Sequence, residues 1–310
     1  MLLQICILTV GIFFLYAGSW ALVEGSVNTA IMLAVRPVII GLTVVSFATS
    51  APELLVSLVA ALKGSGGISI GNILGSNVIN IALVLGVSAA IRPIDIKRQI
   101  TRIDLPFLFI ISAVFWSLCI DNDIDRVDGI ILLGLLAVFL IYGIITAKDK
   151  SGNDAKKEIS LISVLKNTFY IVIGIAMLAL GAHFVVKEAI VIATKIGLSQ
   201  TFIGISVVAL GTSLPELATS AVAASKGESD ISVGNVVGSN LFNICLVMGT
   251  VGLFNPMTID SGLHLFQFPF MLFICFVLGG IAYRQNGINR LSGFTFVLLF
   301  FIYISLSYFI

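Results

Sequence analysis

The chain has 310 residues, 58% of them apolar and only 11% charged, with a mean hydropathy of +1.13 and a net charge of +1. Soluble domains carry about a quarter charged residues, so this composition excludes a water-soluble globule. The near-zero charge offers no basic surface to nucleic acid, and the expected setting is a lipid bilayer.

Ten apolar segments of spanning length are expected, near 2–34, 38–62, 69–91, 103–120, 127–147, 162–194, 202–225, 232–253, 264–283 and 291–309. The first lacks the basic flank of a signal peptide, and Gly11 onward aligns with Gly174 onward, so it is read as a retained element. The first and sixth are long enough to tilt strongly, and Lys187 and Glu188 are expected to interrupt the sixth near an interface. Cys6, Cys119, Cys245 and Cys275 stand singly in or beside apolar runs and read as small buried hydrophobes. Asp121, Asp123, Asp125 and Asp128 lack the spacing and terminal Glu of a Ca2+ loop and read as a solvated turn. The one long polar stretch, Ala147 to Glu158, reads as a linker.

That linker divides two copies of one pattern. IGLTVVSFATSAPELLVSLVAALKG from Ile40 recurs as IGISVVALGTSLPELATSAVAASKG from Ile203, and ISIGNILGSNVINIALVLG recurs as ISVGNVVGSNLFNICLVMG. A constant register carries Glu53 onto Glu216 and Asn80 onto Asn243, with roughly 27 of about 47 aligned positions identical. Residues 1–147 are taken as the first repeat, 148–160 as a cytoplasmic linker and 161–310 as the second repeat. Five spans per copy is an odd number, so the second copy must enter the membrane from the opposite face. The expected fold is all-α, ten transmembrane helices in two inverted-topology repeats of five, with substrate bound at mid-membrane. All of the 17 Lys and Arg residues except Lys63, Arg126, Lys187 and Lys195 fall on one side, which is assigned to the cytoplasm. Both termini are then extracellular, in a chain placed in the cell membrane.

Each copy sets a Ser/Thr pair, one spacer, a proline and a glutamate in apolar sequence: Thr49, Ser50, Pro52, Glu53 and Thr212, Ser213, Pro215, Glu216. Proline within a helix is expected to free the carbonyls of Ala48 and Gly211. A carboxylate in mid-bilayer costs a few kcal/mol and marks function. The next helix adds Ser76, Asn77 and Asn80, and Ser239, Asn240 and Asn243. Asn80 and Asn243 are favoured as ligands or their direct support, while Asn72 and Asn235 read more as helix glue or helix-start caps. Carboxylates, hydroxyls, amides and freed carbonyls form a hard-oxygen set for Ca2+ or Na+. Two glutamates neutralise one Ca2+, and several Na+ sharing the same oxygens would exclude it, which is the logic of antiport.

GTSLPE at Gly211–Glu216, its variant ATSAPE at Ala48–Glu53 and the two GN–GSN stretches resemble the alpha repeats of the sodium/calcium exchanger family, within the cation/Ca2+ antiporter superfamily, of the prokaryotic type without a regulatory domain. The resemblance spans essentially the whole chain. It implies that Glu53 and Glu216 are the Ca2+ carboxylates and that Thr49, Ser50, Thr212 and Ser213 give oxygens to Na+ or Ca2+. It also implies that Ser46 and Ala209 offer backbone carbonyls to flanking Na+ and that Ser76, Asn80, Ser239 and Asn243 complete the ring. The first and sixth helices are implied to slide across a core of four helices. The chain departs from the pattern at Asn243, where many relatives have Asp, at Ala48, where Gly is usual, and at Ser46; K+ co-transport is therefore not expected.

A Ca2+/H+ exchanger on the same scaffold is the alternative, with Glu53 and Glu216 carrying protons. An intramembrane serine hydrolase is disfavoured because His183 and His264 occur in one copy each and neither lies in the motif. A channel is disfavoured because one chain holds both halves of the symmetry. The reading is therefore a transporter and not an enzyme, with Ca2+ and Na+ as substrates, no cofactor and no obligatory protein partner.

Overall fold

The computed structural model describes residues 2–147, 160–195 and 209–309. The linker proper, with Lys148, Lys150, Lys156 and Lys157, and the start of the segment expected at 202–225 lie outside the described residues. In chain order the helices are α1 (Leu2–Met32), α2 (Pro37–Thr49), α3 (Ala51–Leu62), α4 (Gly66–Ile91), α5 (Ile100–Leu118), α6 (Arg126–Ile145), α7 (Leu161–Lys195), α8 (Ala209–Thr212), α9 (Leu214–Lys226), α10 (Ser229–Phe254), α11 (Gln267–Gln285) and α12 (Arg290–Phe309). Among the described residues, eight helices are long and apolar enough to cross a membrane, and α2 with α3 makes one more span bent by 43°. The α8–α9 pair repeats that break in the second copy.

Burial separates centre from rim. The apolar windows of α4 and α10 are 83% buried, those of the other single spans only 22 to 39%. Exposed apolar side chains such as Phe13, Ile144, Ile162 and Phe276 lie on the outer helices and suit contact with lipid tails. The centre includes Ile73, Leu74, Ile81, Leu85, Val236, Ile244 and Met248.

α1 and α7 pack along each other through facing glycines. A Cβ at Gly18 would lie 2.9 Å from the Gly174 carbonyl, and one at Gly174 would lie 2.8 Å from the Gly18 carbonyl, so only glycine allows this approach. α7 runs unbroken through Lys187 and Glu188, against the expected interruption; Glu188 is buried and the helix continues to Lys195. At about 1.5 Å per residue α7 outreaches a bilayer core of about 30 Å, consistent with tilt. Cys119, Cys245 and Cys275 are buried as expected, whereas Cys6 is exposed on α1.

The connections sort to two ends. At one end the Arg36 guanidinium donates to the Thr146 carbonyl (2.7 Å) and to the Gln99 side chain. There too, β1 (Ile94–Asp95) pairs antiparallel with β4 (Gly287–Ile288), and Lys97 bridges Asp230 at 2.5 Å. At the other end β2 (Asp123–Ile124) pairs with β3 (Met257–Thr258), and the Asn255 amide donates to the Ala61 carbonyl (2.8 Å). Asp125 and Asp128 form a reciprocal N-terminal cap on α6, so these acids serve helix initiation.

Candidate ion-binding site

The helix breaks put the carboxylates in place. Ser50 (φ −81°, ψ 2°) and Ser213 (φ −86°, ψ 5°) leave helical geometry, and new helices start at Ala51 and Leu214. Pro52 and Pro215 therefore occupy first turns, where a missing N–H costs little, and not helix interiors as the sequence suggested. Glu53 and Glu216 stand in those same first turns, at the positive end of each helix dipole. Both are fully buried.

The two copies contact each other crosswise. The Ser50 hydroxyl donates to Glu216 Oε1 and the Ser213 hydroxyl donates to Glu53 Oε1, each at 3.4 Å. Ser239 adds a second hydroxyl at 3.4 Å from Glu216 Oε1. Thr49 lies 3.3 Å from Ser239 Oγ and beside the Glu216 carboxylate, and Thr212 lies beside Glu53. Among the described residues, no lysine or arginine hydrogen-bonds to either carboxylate.

Close packing of α2 on α10 sets this geometry. A Cβ at Gly234 would lie 2.8 Å from the Val38 carbonyl and 3.0 Å from the Leu42 nitrogen. Ser46 seals the crossing: its hydroxyl reaches the carbonyls of Gly41 (2.6 Å), Asn235 (3.0 Å) and Gly234 (3.2 Å). Its own carbonyl accepts from the Ser50 nitrogen (2.9 Å). Ser46 thus joins the cluster through its backbone, and its side chain faces α10. Ala209 opens α8.

α4 and α10 widen into π turns at Asn80–Leu85 and Phe242–Met248, a feature common at functional sites. Asn80 and Asn243 stand at the start of these turns. The Asn243 amide donates to Asn77 Oδ1 (3.3 Å), and the Asn240 amide donates to the Asn77 carbonyl (3.2 Å). Among the described residues, Glu53 Oε2, Glu216 Oε2, Ser76 Oγ, Asn80 Oδ1 and Asn243 Oδ1 are buried without a hydrogen-bond partner. Buried polar atoms are rarely left so. A hard cation is the partner that would satisfy several acceptors at once. No three His, Cys, Asp or Glu side chains converge among the described residues, so the set is two carboxylates among neutral oxygens.

Sequence reasoning missed Ser57 and Ser220, which accept from Asn72 and Asn235. Their signal was present: the two positions hold the same residue in both copies.

These features define an integral membrane protein in which the two copies of the motif meet in a buried cluster of carboxylate, hydroxyl and amide groups. A profile of the sodium/calcium exchanger protein family matches residues 3–145 and 166–309. The inner membrane protein YrbG of Escherichia coli (strain K12) is 33% identical over 92% of this chain and 90% of its own length. The sodium/calcium exchanger MaX1 of Methanosarcina acetivorans is 29% identical over 98% of each chain. The sodium-calcium exchanger NCX_Mj, in a crystal soaked with 10 mM Na+ and zero Ca2+, superposes with a TM-score of 0.87 at 30% identity, covering 98% of both chains. The chain belongs to the sodium/calcium exchanger family.

Proposed function

We propose that the protein, a cation/Ca2+ antiporter by family, exchanges Na+ for Ca2+ by alternating access at the Glu53–Glu216 site. One Ca2+ binds between the two carboxylates, which neutralise it, and takes the rest of its about 6–8 oxygens from Asn80, Asn243, Ser76, Ser239 and the hydroxyls of Ser50 and Ser213. Na+ ions use overlapping subsets, with Thr49, Thr212 and the carbonyls of Ser46 and Ala209 serving flanking positions. Sharing of oxygens makes the two ions exclude each other. The observation that carries this reading is the crosswise contact of each serine with the other copy's glutamate, beside carboxylate oxygens that lack partners.

Ten spans in two inverted halves, 1–147 and 161–310 joined by 148–160, fit the two ends at which the described connections gather. The basic end is read as cytoplasmic, with both termini outside the cell membrane. The α1–α7 pair, packed through its own glycines, is the unit that moves across the core.

Purified protein in liposomes, assayed for radiocalcium uptake, tests the coupling ion. Uptake driven by an outward Na+ gradient at constant pH supports the reading. Uptake that follows only a pH gradient at zero Na+ replaces it with Ca2+/H+ exchange.

A further inference from the structure

Two hydrogen-bonded chains run through the core, one ending on each threonine of the site. In the first, the Ser57 hydroxyl donates to the Ser69 carbonyl (3.3 Å), the Asn72 amide donates to Ser57 Oγ (3.0 Å), and the Thr212 hydroxyl donates to Asn72 Oδ1 (3.3 Å). In the second, the Ser220 hydroxyl donates to the Ser232 carbonyl (3.5 Å), the Asn235 amide donates to Ser220 Oγ (2.9 Å), and the Thr49 hydroxyl donates to Asn235 Oδ1 (3.0 Å). Ser57, Ser220 and Asn235 are fully buried, and Asn72 is nearly so. Each chain starts on a backbone carbonyl of one copy and ends on a threonine of the other.

The first member sets the direction of each chain. A carbonyl oxygen only accepts, so the serine proton is committed to it and the serine oxygen is left to accept. Only the asparagine NH2 can donate there, which turns Oδ1 toward the threonine. The threonine must then donate to that oxygen, and its own oxygen is left in the accepting role. A backbone group thereby decides an amide orientation that is otherwise ambiguous. Each threonine also stands beside a carboxylate of the opposite copy. A hydroxyl proton resting on that carboxylate would occupy an oxygen the cation needs, and the asparagine gives this proton another acceptor.

We infer that Asn72 and Asn235, held by Ser57 and Ser220, are positioning residues that polarise Thr212 and Thr49 so that both hydroxyls serve Na+ as oxygen ligands. The assignment rests on Na+ being the coupling ion. Na+ carries one charge and depends more on neutral oxygens than Ca2+, which both carboxylates hold. The relays therefore govern Na+ binding with little effect on Ca2+.

Ser57→Ala removes the acceptor that fixes the Asn72 amide. Ser220→Ala removes the shorter of the two acceptors of the Asn235 amide, which also donates to the Glu216 carbonyl (3.4 Å), so its effect should be the smaller. Both leave every proposed ion ligand in place. Each variant, checked for folding by thermal melting, is assayed for Na+-driven radiocalcium uptake and for Ca2+/Ca2+ self-exchange at zero Na+. The half-saturating Na+ concentration should rise about 3- to 10-fold, the size of one ordinary hydrogen bond. Maximal rate and the Ca2+ KM of self-exchange should stay within about twofold, and Ser57→Thr, which keeps a hydroxyl, should recover the Na+ dependence. A parallel loss of both activities, or an unchanged Na+ dependence, overturns the relay. If one alanine variant fails to fold, its counterpart in the other copy carries the same test. Wild-type uptake that ignores Na+ overturns the coupling-ion reading and this assignment together, before any variant is made.

Discussion

Glu216→Gln separates Ca2+ binding from Na+ binding by charge alone. Gln keeps the shape and the Oε1 acceptor that Ser50 and Ser239 contact at 3.4 Å, so the local packing is retained. With cation–oxygen distances of about 2.4 Å and an effective dielectric constant of about 20, one carboxylate attracts Ca2+ by about 14 kcal/mol and Na+ by about 7 kcal/mol. The substitution also relieves repulsion from Glu53, about 3 kcal/mol at the roughly 5 Å separation of two ligands on one ion. It further avoids several kcal/mol of carboxylate desolvation. The remainder is a loss of at least about 4 kcal/mol for Ca2+, or about 1,000-fold in affinity, and a value near zero for Na+. Calorimetry on purified protein reads Ca2+ affinity, and radiosodium self-exchange in liposomes reads Na+. Calcium affinity within about tenfold of wild type refutes the placement of Glu216 on the ion, and equal loss of both ions refutes the charge argument. Glu53→Gln should behave alike, since its contact with Ser213 mirrors that of Glu216 with Ser50.

Asn243→Asp brings a third carboxylate to the ion, so Ca2+ affinity should rise about 10-fold or more. Uptake should also become more sensitive to acid, because crowded carboxylates compete for protons; a pH profile matching wild type would remove Asn243 from the ion shell. Ser46→Ala deletes the hydroxyl that seals α2 on α10 but keeps the carbonyl, so stability should fall by about 1 kcal/mol with ion affinities unchanged, as read by melting and uptake. Gly234→Ala forces a methyl within 2.8 Å of the Val38 carbonyl and should cost about 1–3 kcal/mol of stability. Trp116→Phe removes the donor to the half-buried His264 Nδ1 (2.9 Å) and should lower stability by about 0.5–1.5 kcal/mol, read by melting, with uptake kinetics unaltered.

The spans and the paired glutamates were legible because both follow from one constraint, the cost of polarity in lipid. Hydropathy marks what lipid tolerates, and a carboxylate repeated in two apolar copies marks what it does not. The helix breaks were only half legible. Pro52 and Pro215 announced an irregularity, but a proline in a first turn and one in an interior have the same neighbours in sequence. The structure begins α3 and α9 one residue earlier and removes the strain. The π turns at Asn80 and Phe242 carry no compositional signature, since one extra residue per turn leaves the apolar pattern nearly intact. The burial of Glu188 inside a continuous α7 was hidden for the converse reason, because a charged residue in sequence looks like an exit from the membrane.

What lay beyond the sequence was which copy completes which. A repeat register makes Ser50 equivalent to Ser213 and Thr49 equivalent to Thr212, yet equivalence is not contact. The contacts run across: Ser50 to Glu216, Ser213 to Glu53, Thr49 to Asn235 and Thr212 to Asn72. One copy alone therefore holds a single carboxylate, a threonine without its asparagine and half a ligand shell. Such a half-site has too little charge for Ca2+ and too few fixed oxygens for Na+. On the proposed reading the ion is held only where the copies interlock, so the proposed movement of α1 and α7 across the core would change which side of the membrane reaches the ion without dismantling its ligands. The same interlock bears on why both copies hold the same hydroxyls and amides: by the relay proposed above, loss of Asn72 in one copy would disable Thr212 in the other, so neither half could change alone.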